Sequence, residues 1–317
     1  MMAVMSSILL RNEFLDVTIL PDIGAKIYEV IHRATGHNFL WHNPRIAPRP
    51  YPIEANFDNY WCGGWDDAFP TCEASLYRGE QYPNLGELRS LAWKVEEAGA
   101  EFAALSAFGP ISPVAAKKTV RLKARTLEMT YEIVNLGHSG IDFLWGTHPA
   151  YAIDGETVLH IPARTGIAGV ASHPSLGAPG QRYAWPALKT DHGWADMSRT
   201  RGASANLNAG HYATDLAAGW YAVEDTGRGQ SLLFEFDLAV CPYLWLWLSY
   251  GGWRGYHLAA IEPWTSRPVT LSEAVEAGTH RHLKAGQRFQ TSVRLTVGET
   301  GQPARDLIAG HGYSQTA

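Results

Sequence analysis

A period-two alternation of apolar and polar side chains is the feature that most constrains how this chain folds. At residues 127–133 every odd position is apolar and every even position is Glu or Thr, and residues 120–125 and 289–297 alternate in the same way with few exceptions. Successive side chains of a β-strand point to opposite faces, so each segment has one apolar and one polar face. This pattern is typical of antiparallel sheets with one buried face.

Further segments have the composition of strands and are separated in part by turns that contain Pro or Gly. They are residues 16–20, 24–32, 38–41, 232–236, 243–249 and 256–261. No helical period of 3.6 residues extends over a dozen positions, and only residues 272–276 are expected to form a helical turn or two. The chain is therefore predicted to be one all-β domain over residues 1–317, built as two packed sheets or as a barrel.

Aromatic residues are abundant, with 12 Trp, 14 Tyr and 10 Phe in 317 residues. Trp and Tyr combine an apolar face with a polar edge, which matches the faces and hydroxyl edges of a sugar ring. Packing of a β core is expected to account for most of them. Residues 42–60 and 165–215 are rich in Pro, Gly, His and Trp, and both are expected to be irregular loops with a functional or covering role.

Charge and hydropathy argue against nucleic-acid and membrane partners. The formal net charge is −5 with a pI near 6.2, so the chain has no electrostatic reason to bind nucleic acid. The N-terminal segment lacks the regions of a signal peptide, and the most apolar window, residues 232–250, contains two acidic residues and a proline. Three cysteines without metal-ligand spacing predict reduced thiols in a cytoplasmic protein and no metal site: Cys62, Cys72 and Cys241.

Several short motifs resemble one known family when they are taken together. In chain order they are DVTILPDIGAKIYEVIHRATGHNFLW (residues 16–41), GGWDDAFPTCEA (63–74), GELRSLAWKVEE (86–97), GTHPAY (146–151), AIEPWTS (260–266) and LKAGQRFQTSVRLTV (283–297). Their order and spacing resemble the non-classical branch of the aldose 1-epimerase, or galactose mutarotase-like, family over nearly the whole chain. Relatives often have a His just before the Gly-Glu of the third motif, where this chain has Leu85.

The resemblance implies a large antiparallel β-sandwich and chemistry on a monosaccharide without a cofactor. It also implies a His acid and a Glu base, which correspond to His148 in GTHPAY and Glu262 in AIEPWTS. Mutarotation opens the sugar ring through removal of the proton of the anomeric hydroxyl and protonation of the ring oxygen. Reclosure on the other face of the aldehyde reverses both transfers, so one acid and one base are sufficient.

Both residues suit these roles chemically. His148 precedes a proline, which holds its backbone extended, and an imidazole donates and accepts protons near neutral pH. Glu262 lies in a largely apolar segment, where a buried carboxylate is a stronger base. The alternatives are a structural or surface histidine, and a buried glutamate paired with Arg254 or Arg267.

Substrate-binding residues are expected near the two glycines of GGWDDAFP, because glycine lets the backbone approach a ligand closely. Asp66 and Asp67 are candidates to accept hydrogen bonds from sugar hydroxyls, with a capped turn as the alternative. Trp65, Trp253 and Trp264 are candidate stacking platforms, with a place in the core as the alternative.

Basic residues are the candidates to hold an anionic substituent of the sugar. They are Arg78, Arg89 and Lys118, and a solvated surface position is the alternative for each. His280 and His282 are two positions apart and suit either a metal pair on one strand face or a solvated hairpin tip. The oligomeric state is left open, with a homodimer as one alternative.

Three functions remain open from the sequence. The first is an aldose 1-epimerase-like enzyme. The second is another isomerase or a lyase for an unusual sugar or sugar acid on the same scaffold, an alternative that Leu85 keeps open. The third is a sugar-binding module without catalysis, against which the presence of both His148 and Glu262 argues, since binding needs no acid–base pair.

Overall fold

A computed structural model describes residues 5–314 of the chain and shows a β protein with short helices. The strands in chain order are β1 (Ile8–Arg11), β2 (Leu15–Leu20), β3 (Lys26–His32), β4 (His37–Asn38), β5 (Trp65–Ala68), β6 (Ser75–Tyr77), β7 (Glu80–Tyr82), β8 (Lys94–Ala98), β9 (Phe102–Phe108), β10 (Val114–Lys123), β11 (Thr126–Asn135), β12 (Ile141–Phe143), β13 (Gly146–Ala152), β14 (Thr157–His160), β15 (Ala163–Ala168), β16 (Arg182–Ala184), β17 (Ala187–Thr190), β18 (Gly193–Asp196), β19 (Leu207–Leu216), β20 (Trp220–Asp225), β21 (Gln230–Phe236), β22 (Tyr243–Tyr250), β23 (His257–Trp264), β24 (Arg281–Leu283) and β25 (Arg288–Val297). The α-helices are α1 (Leu271–Glu276) and α2 (Ala304–Gly310).

The alternating segments form the strands that their pattern predicts. Along β11 every second residue is buried and the others are half-buried, and its neighbour β10 pairs with it antiparallel over ten residues. The predicted helical turn is α1, which begins with a capping box in which Thr270 and Glu273 exchange hydrogen bonds. The fold is thus all-β with antiparallel pairing, as the sequence predicts.

The chain divides into two compact units, the first of which contains residues 5–149 and 264–293. One of its sheets has the strand order β1-β2-β3-β5-β13 with β4 beside β3, and another has the order β8-β9-β10-β11. Side chains of β5 and β10 meet between these sheets, where the buried Lys118 forms an ion pair with the partly buried Asp67. The first unit therefore has the layered construction of a β-sandwich.

The second unit contains residues 150–263 and 294–314 of the described chain. Its strands β23-β22-β19-β15-β16 are neighbours in one sheet, and β14-β20-β21 are neighbours in another. Helix α2 closes a small apolar cluster there, in which Leu307 and Ile308 pack with Trp220 and Leu233. Whether the chain acts as the single domain that the sequence predicts stays a prediction.

Two expectations about local structure need correction. Residues 165–215 are not irregular throughout, because they contain β16, β17, β18 and most of the ten-residue β19. The sequence also gave no sign of α2, which is short and packs through only a few apolar side chains. Residues 42–60, by contrast, contain no strand and a single 3₁₀ turn at Phe57–Asn59. Within residues 5–314, no helix is both long and apolar enough to cross a membrane.

Candidate functional site

His148 lies on β13 in the first unit, where this strand pairs with β5. Its Cα is paired with that of Asp66 on the neighbouring β5, so the two side chains project from the same face. The imidazole is buried, with 6% of the residue exposed, and its ring packs nearly perpendicular to that of Trp61 at a centroid distance of 5.7 Å. A strand and an aromatic side chain therefore fix the position of this histidine.

A buried ion pair lies beside His148. Lys26 Nζ is 2.6 Å from Asp66 Oδ2 and also donates to the carbonyl of Gly63 at 2.7 Å, while Trp61 Nε1 donates to the same carboxylate oxygen at 3.1 Å. Burial lowers the pKa of Lys26, but the charge of Asp66 outweighs this together with smaller contributions, and the pKa is raised overall. Asp66 is thus engaged by two protein donors, and its predicted contact with substrate stays a prediction.

The two glycines before β5 are needed to bring Asp66 to this position. Gly63 and Gly64 both have left-handed backbone conformations, with φ of +85° and +82°. A side chain on Gly63 would place its Cβ 2.1 Å from the carbonyl oxygen of Trp41. The close approach permitted by this glycine pair is therefore to the protein's own backbone.

Asp67 and Trp65 project from the opposite face of β5, into the interior of the first unit. Asp67 accepts a hydrogen bond from Thr147 Oγ1 at 2.9 Å and forms the ion pair with Lys118. Trp65 is fully buried, and its indole N–H donates to the same threonine hydroxyl. Neither side chain shares the face that carries His148. The solvated position considered for Lys118 is wrong, since this residue is buried.

Glu262 and Trp264 lie two residues apart on β23, and both are buried. Glu262 belongs to the second unit, where its charge is one of the smaller causes, after burial and Tyr151, that raise the pKa of Tyr221. Trp264 belongs to the first unit and packs on Gly146, where an added Cβ would lie 2.2 Å from the indole. The alternative of a core position for Trp264 therefore fits this packing.

Two further predicted binding residues, Arg78 and Trp253, lie at the surface. Arg78 is exposed at the turn between β6 and β7 and pairs with Asp142 at 2.9 Å. Trp253 is 40% exposed in the turn after β22, with the Arg254 guanidinium 5.7 Å from its ring centroid. The structure does not bring either of them to His148 by any contact in the described part of the chain, and their roles stay predictions.

Two histidines, His282 on β24 and His280 just before this strand, lie close to the carboxylate of Asp142. His282 Nδ1 is 2.6 Å and His280 Nε2 is 3.3 Å from Asp142 Oδ1, and Tyr77 donates to the other oxygen at 2.5 Å. Among residues 5–314, no group of three or more His, Cys, Asp or Glu side chains is arranged to hold a metal ion.

Leu85 lies in a tightly folded turn before the buried Arg89. Its φ is +56°, in the left-handed region that favours glycine, and its backbone N–H donates to the carbonyl of Cys72. The next residue, Gly86, also has a positive φ, and a Cβ there would lie 1.9 Å from the Phe69 carbonyl oxygen. Leu85 itself is buried, so this turn presents an apolar side chain where relatives often have a histidine.

The residues around His148 that sequence reasoning missed are Lys26, Tyr51, Phe57 and Trp61. Lys26 comes from β3, Tyr51 and Phe57 come from residues 42–60, which were expected to form a functional or covering loop, and Trp61 follows directly after that segment. The alternation of apolar and polar residues along β3 does not predict that Lys26 is buried. Only its contact with Asp66 in the structure shows that it forms an ion pair there. For Tyr51 and Phe57, the composition of residues 42–60 was the sequence signal that pointed to a role near the site.

Comparison with known proteins identifies the fold. The sequence matches no protein-family model and no curated protein. Solved structures do match over most of the chain. A galactose mutarotase-like protein from Lactobacillus casei ATCC 334 is 15% identical, with a TM-score of 0.67 and coverage of 92% of this chain and 100% of that one. A galactose mutarotase related enzyme from Lactobacillus acidophilus is 17% identical, with a TM-score of 0.66 and coverage of 93% and 98%.

A candidate aldose 1-epimerase from Escherichia coli K12 is similar to the same extent. It is 14% identical, with a TM-score of 0.66 and coverage of 93% of this chain and 99% of that one. At such identities the likeness shows the fold alone. The chain is therefore an all-β protein with the galactose mutarotase-like fold, and it carries a buried histidine and a buried ion pair on one sheet face of its first unit.

Proposed function

We propose that this protein is an aldose 1-epimerase-like enzyme that interconverts the anomers of a monosaccharide. The observation that carries the proposal is the placement of His148. Its imidazole is buried and packs on Trp61, and its strand pairs with β5 at Asp66. The fold supports it, since similar structures include proteins named for galactose mutarotase and aldose 1-epimerase.

In the proposed mechanism Glu262 removes the proton of the anomeric hydroxyl while His148 donates a proton to the ring oxygen. The bond between the anomeric carbon and the ring oxygen breaks, and an open-chain aldehyde forms. After rotation about the adjacent carbon–carbon bond, the hydroxyl adds to the other face of the carbonyl and both protons return. Each group transfers one proton on ring opening and takes part in the reverse transfer on closure, so the two groups balance the reaction. In this proposal the bound sugar is aligned with both of them.

The variants His148→Ala and Glu262→Gln test this assignment directly. Each is expected to lower the rate of enzyme-catalysed anomeric exchange by about 10²–10⁴-fold, because each removes one positioned acid or base. Exchange is measured by NMR with a sugar that the wild type accelerates. The matched controls His192→Ala and Glu97→Gln change exposed residues and are expected to retain the wild-type rate. Full activity in either site variant would overturn its role.

A second candidate is another isomerase, or a lyase, that acts on an unusual sugar. The buried Leu85 favours it, because an apolar side chain occupies the position in this turn where relatives often have a histidine. Product analysis by NMR separates the two: an epimerase yields only the other anomer, whereas a lyase yields an unsaturated sugar and an isomerase a rearranged carbon skeleton or carbonyl position. If a folded protein binds sugars and converts none of them, a sugar-binding module is the remaining function.

A further inference from the structure

Arg89 is a buried cation that the mechanism does not use. Only 1% of the residue is exposed, and its Nε donates to the backbone carbonyl of Asn84. The guanidinium lies 4.8 Å from the ring centroid of Phe57 and 5.3 Å from that of Tyr51. Both terminal nitrogens, Nη1 and Nη2, are buried without an acceptor in hydrogen-bond geometry among residues 5–314, and the Tyr51 hydroxyl lies near enough to interact with the guanidinium. The solvated position considered for this residue is therefore wrong.

The charges around Arg89 do not balance it. Asp66, a buried acid whose charge also acts on Tyr51, is already paired with Lys26 at 2.6 Å, and in the described chain no carboxylate lies within ion-pair distance of Arg89. Burial raises the pKa of Tyr51 and the charge of Arg89 opposes that rise, so the neighbouring hydroxyl is neutral near pH 7. A buried charge without a partner is strongly unfavourable. Binding of an anion next to the buried guanidinium of Arg89 would therefore be favourable.

Arg89 is connected both to His148 and to a cleft. Phe57 packs on Trp61 at 5.8 Å between ring centroids, and Trp61 packs on His148. Phe57 and Asn84, two of the residues that contact Arg89, also line a cleft of about 860 Å³ in the first unit. That volume accommodates a monosaccharide with a substituent.

The other polar groups of the cleft suit hydroxyls. They are the carboxylates and amides of Glu54, Asn56, Asp58, Glu80 and Gln81. Carboxylates accept hydrogen bonds from sugar hydroxyls, and amides both donate and accept them, but these carboxylates repel an anion at the mouth of the cleft. The described residues that line the cleft include no Lys or Arg, and Arg89 lies behind two of them, Phe57 and Asn84, which favours the Arg89 side of the cleft for an anionic group.

We infer that Arg89 binds the anionic group of the sugar substrate, a carboxylate, sulfonate or phosphate ester, through Nη1 and Nη2. The fork of a guanidinium matches two oxygens of each of these groups. The rings of Tyr51 and Phe57 lie over the guanidinium, so binding of the anion requires at least one of these rings to move. The inference rests on the proposed function, because it names the class of sugar that the same enzyme prefers.

Matched sugars test the inference. Anomeric exchange is measured by NMR for glucose and for its analogues with a carboxylate, a sulfonate or a phosphate at C6. The wild type is expected to prefer at least one anionic sugar by about 10- to 100-fold in kcat/KM, as for a charge-assisted bidentate contact. Arg89→Gln is expected to abolish the preference and Arg89→Lys to retain part of it. Absence of any preference, or a preference that survives Arg89→Gln, would overturn the inference.

Arg121→Gln is the matched control, because Arg121 also stacks on an aromatic ring, Phe102, at 4.8 Å, but is exposed. It is expected to keep the full preference for the anionic sugar. Calorimetric binding of the same sugars separates this inference from the proposed function. In one outcome, an anionic sugar binds tightly in a way that depends on Arg89 while no sugar undergoes exchange. That result would contradict the epimerase proposal and support the anion site.

The stability of the ligand-free protein gives an independent readout. In buffer free of phosphate and sulfate, Arg89→Met is expected to melt at the wild-type temperature or above it, since it keeps the packing of the alkyl chain and removes an unpaired charge. Inorganic phosphate at fixed ionic strength is expected to raise the melting temperature of the wild type more than that of the variant. A less stable Arg89→Met, or an equal effect of phosphate on both proteins, would contradict the inference.

Discussion

At the scale of single residues, the adjacent acids Asp66 and Asp67 show how strand geometry divides one motif between two environments. Because they are neighbours on β5, they point to opposite faces, where Asp66 meets Lys26 and Asp67 meets Lys118. The motif GGWDDAFP predicted that carboxylates gather here. Their lysine partners could not be predicted, since they lie on β3 and β10, far away in the sequence.

The ion pair between Lys26 and Asp66 is expected to couple strongly to stability. Asp66→Asn leaves the Lys26 charge buried without its partner, and we expect a loss of about 3–5 kcal/mol in the free energy of unfolding. In the double variant with Lys26→Met, much of this loss is expected to be recovered. Urea denaturation of the two single variants and the double variant gives the coupling energy. Additive single effects would show that the pair does not act as a unit.

A second residue-scale prediction concerns His211 on β19. Burial lowers its pKa from 6.5 to about 4, and Tyr183 Oη lies 3.0 Å from its Nδ1. The folded protein therefore binds fewer protons here than the unfolded chain, so this contribution is present above pH 6.5 and is lost as the pH falls towards 4. Between pH 7 and pH 5 it amounts to roughly 2 kcal/mol.

The variant His211→Gln is expected to lose less stability over that pH interval than the wild type, by roughly this amount. Urea denaturation of both proteins at pH 7 and pH 5 measures the difference. Equal losses in both proteins would mean that His211 does not stay neutral in the folded protein.

At the scale of elements, alternation predicts strands whose buried face is apolar and fails where that face carries polar or small residues. β11 was predicted because its buried positions are Leu127, Met129, Tyr131 and Ile133. β19 was missed because its buried positions include Ala209, His211 and Ala213, which give no binary pattern. Helix α2 has only seven residues, too few for a period of 3.6 to be evident.

The packing of α2 is expected to stabilise the second unit in spite of its length. Ile308 is fully buried against Trp220 and Leu233, so Ile308→Ala is expected to cost about 2–5 kcal/mol in the free energy of unfolding. Arg305→Ala on the exposed side of the same helix is expected to change it by at most about 0.5 kcal/mol. Urea denaturation followed by tryptophan fluorescence measures both. Similar small effects would show that α2 is not part of the cooperative structure.

At the scale of the whole molecule, the order of several weak motifs predicted the fold although each motif alone is unspecific. Structures of 14–17% identity share the fold over more than nine-tenths of the chain. The strand positions of His148 and Glu262 were predictable, because each motif places its residue in a buried strand. The charged and aromatic surroundings were not, since Tyr51, Phe57 and Arg89 come together only in three dimensions.

Anomeric exchange by the wild-type protein, measured by NMR over a panel of neutral and anionic aldoses, tests the central claim most directly. We expect accelerated exchange between the anomers of at least one sugar, with no other product, because one acid and one base are sufficient for ring opening and closure. Exchange at the uncatalysed rate for every sugar of the panel, in a protein shown to be folded, would contradict the claim that this chain is a mutarotase.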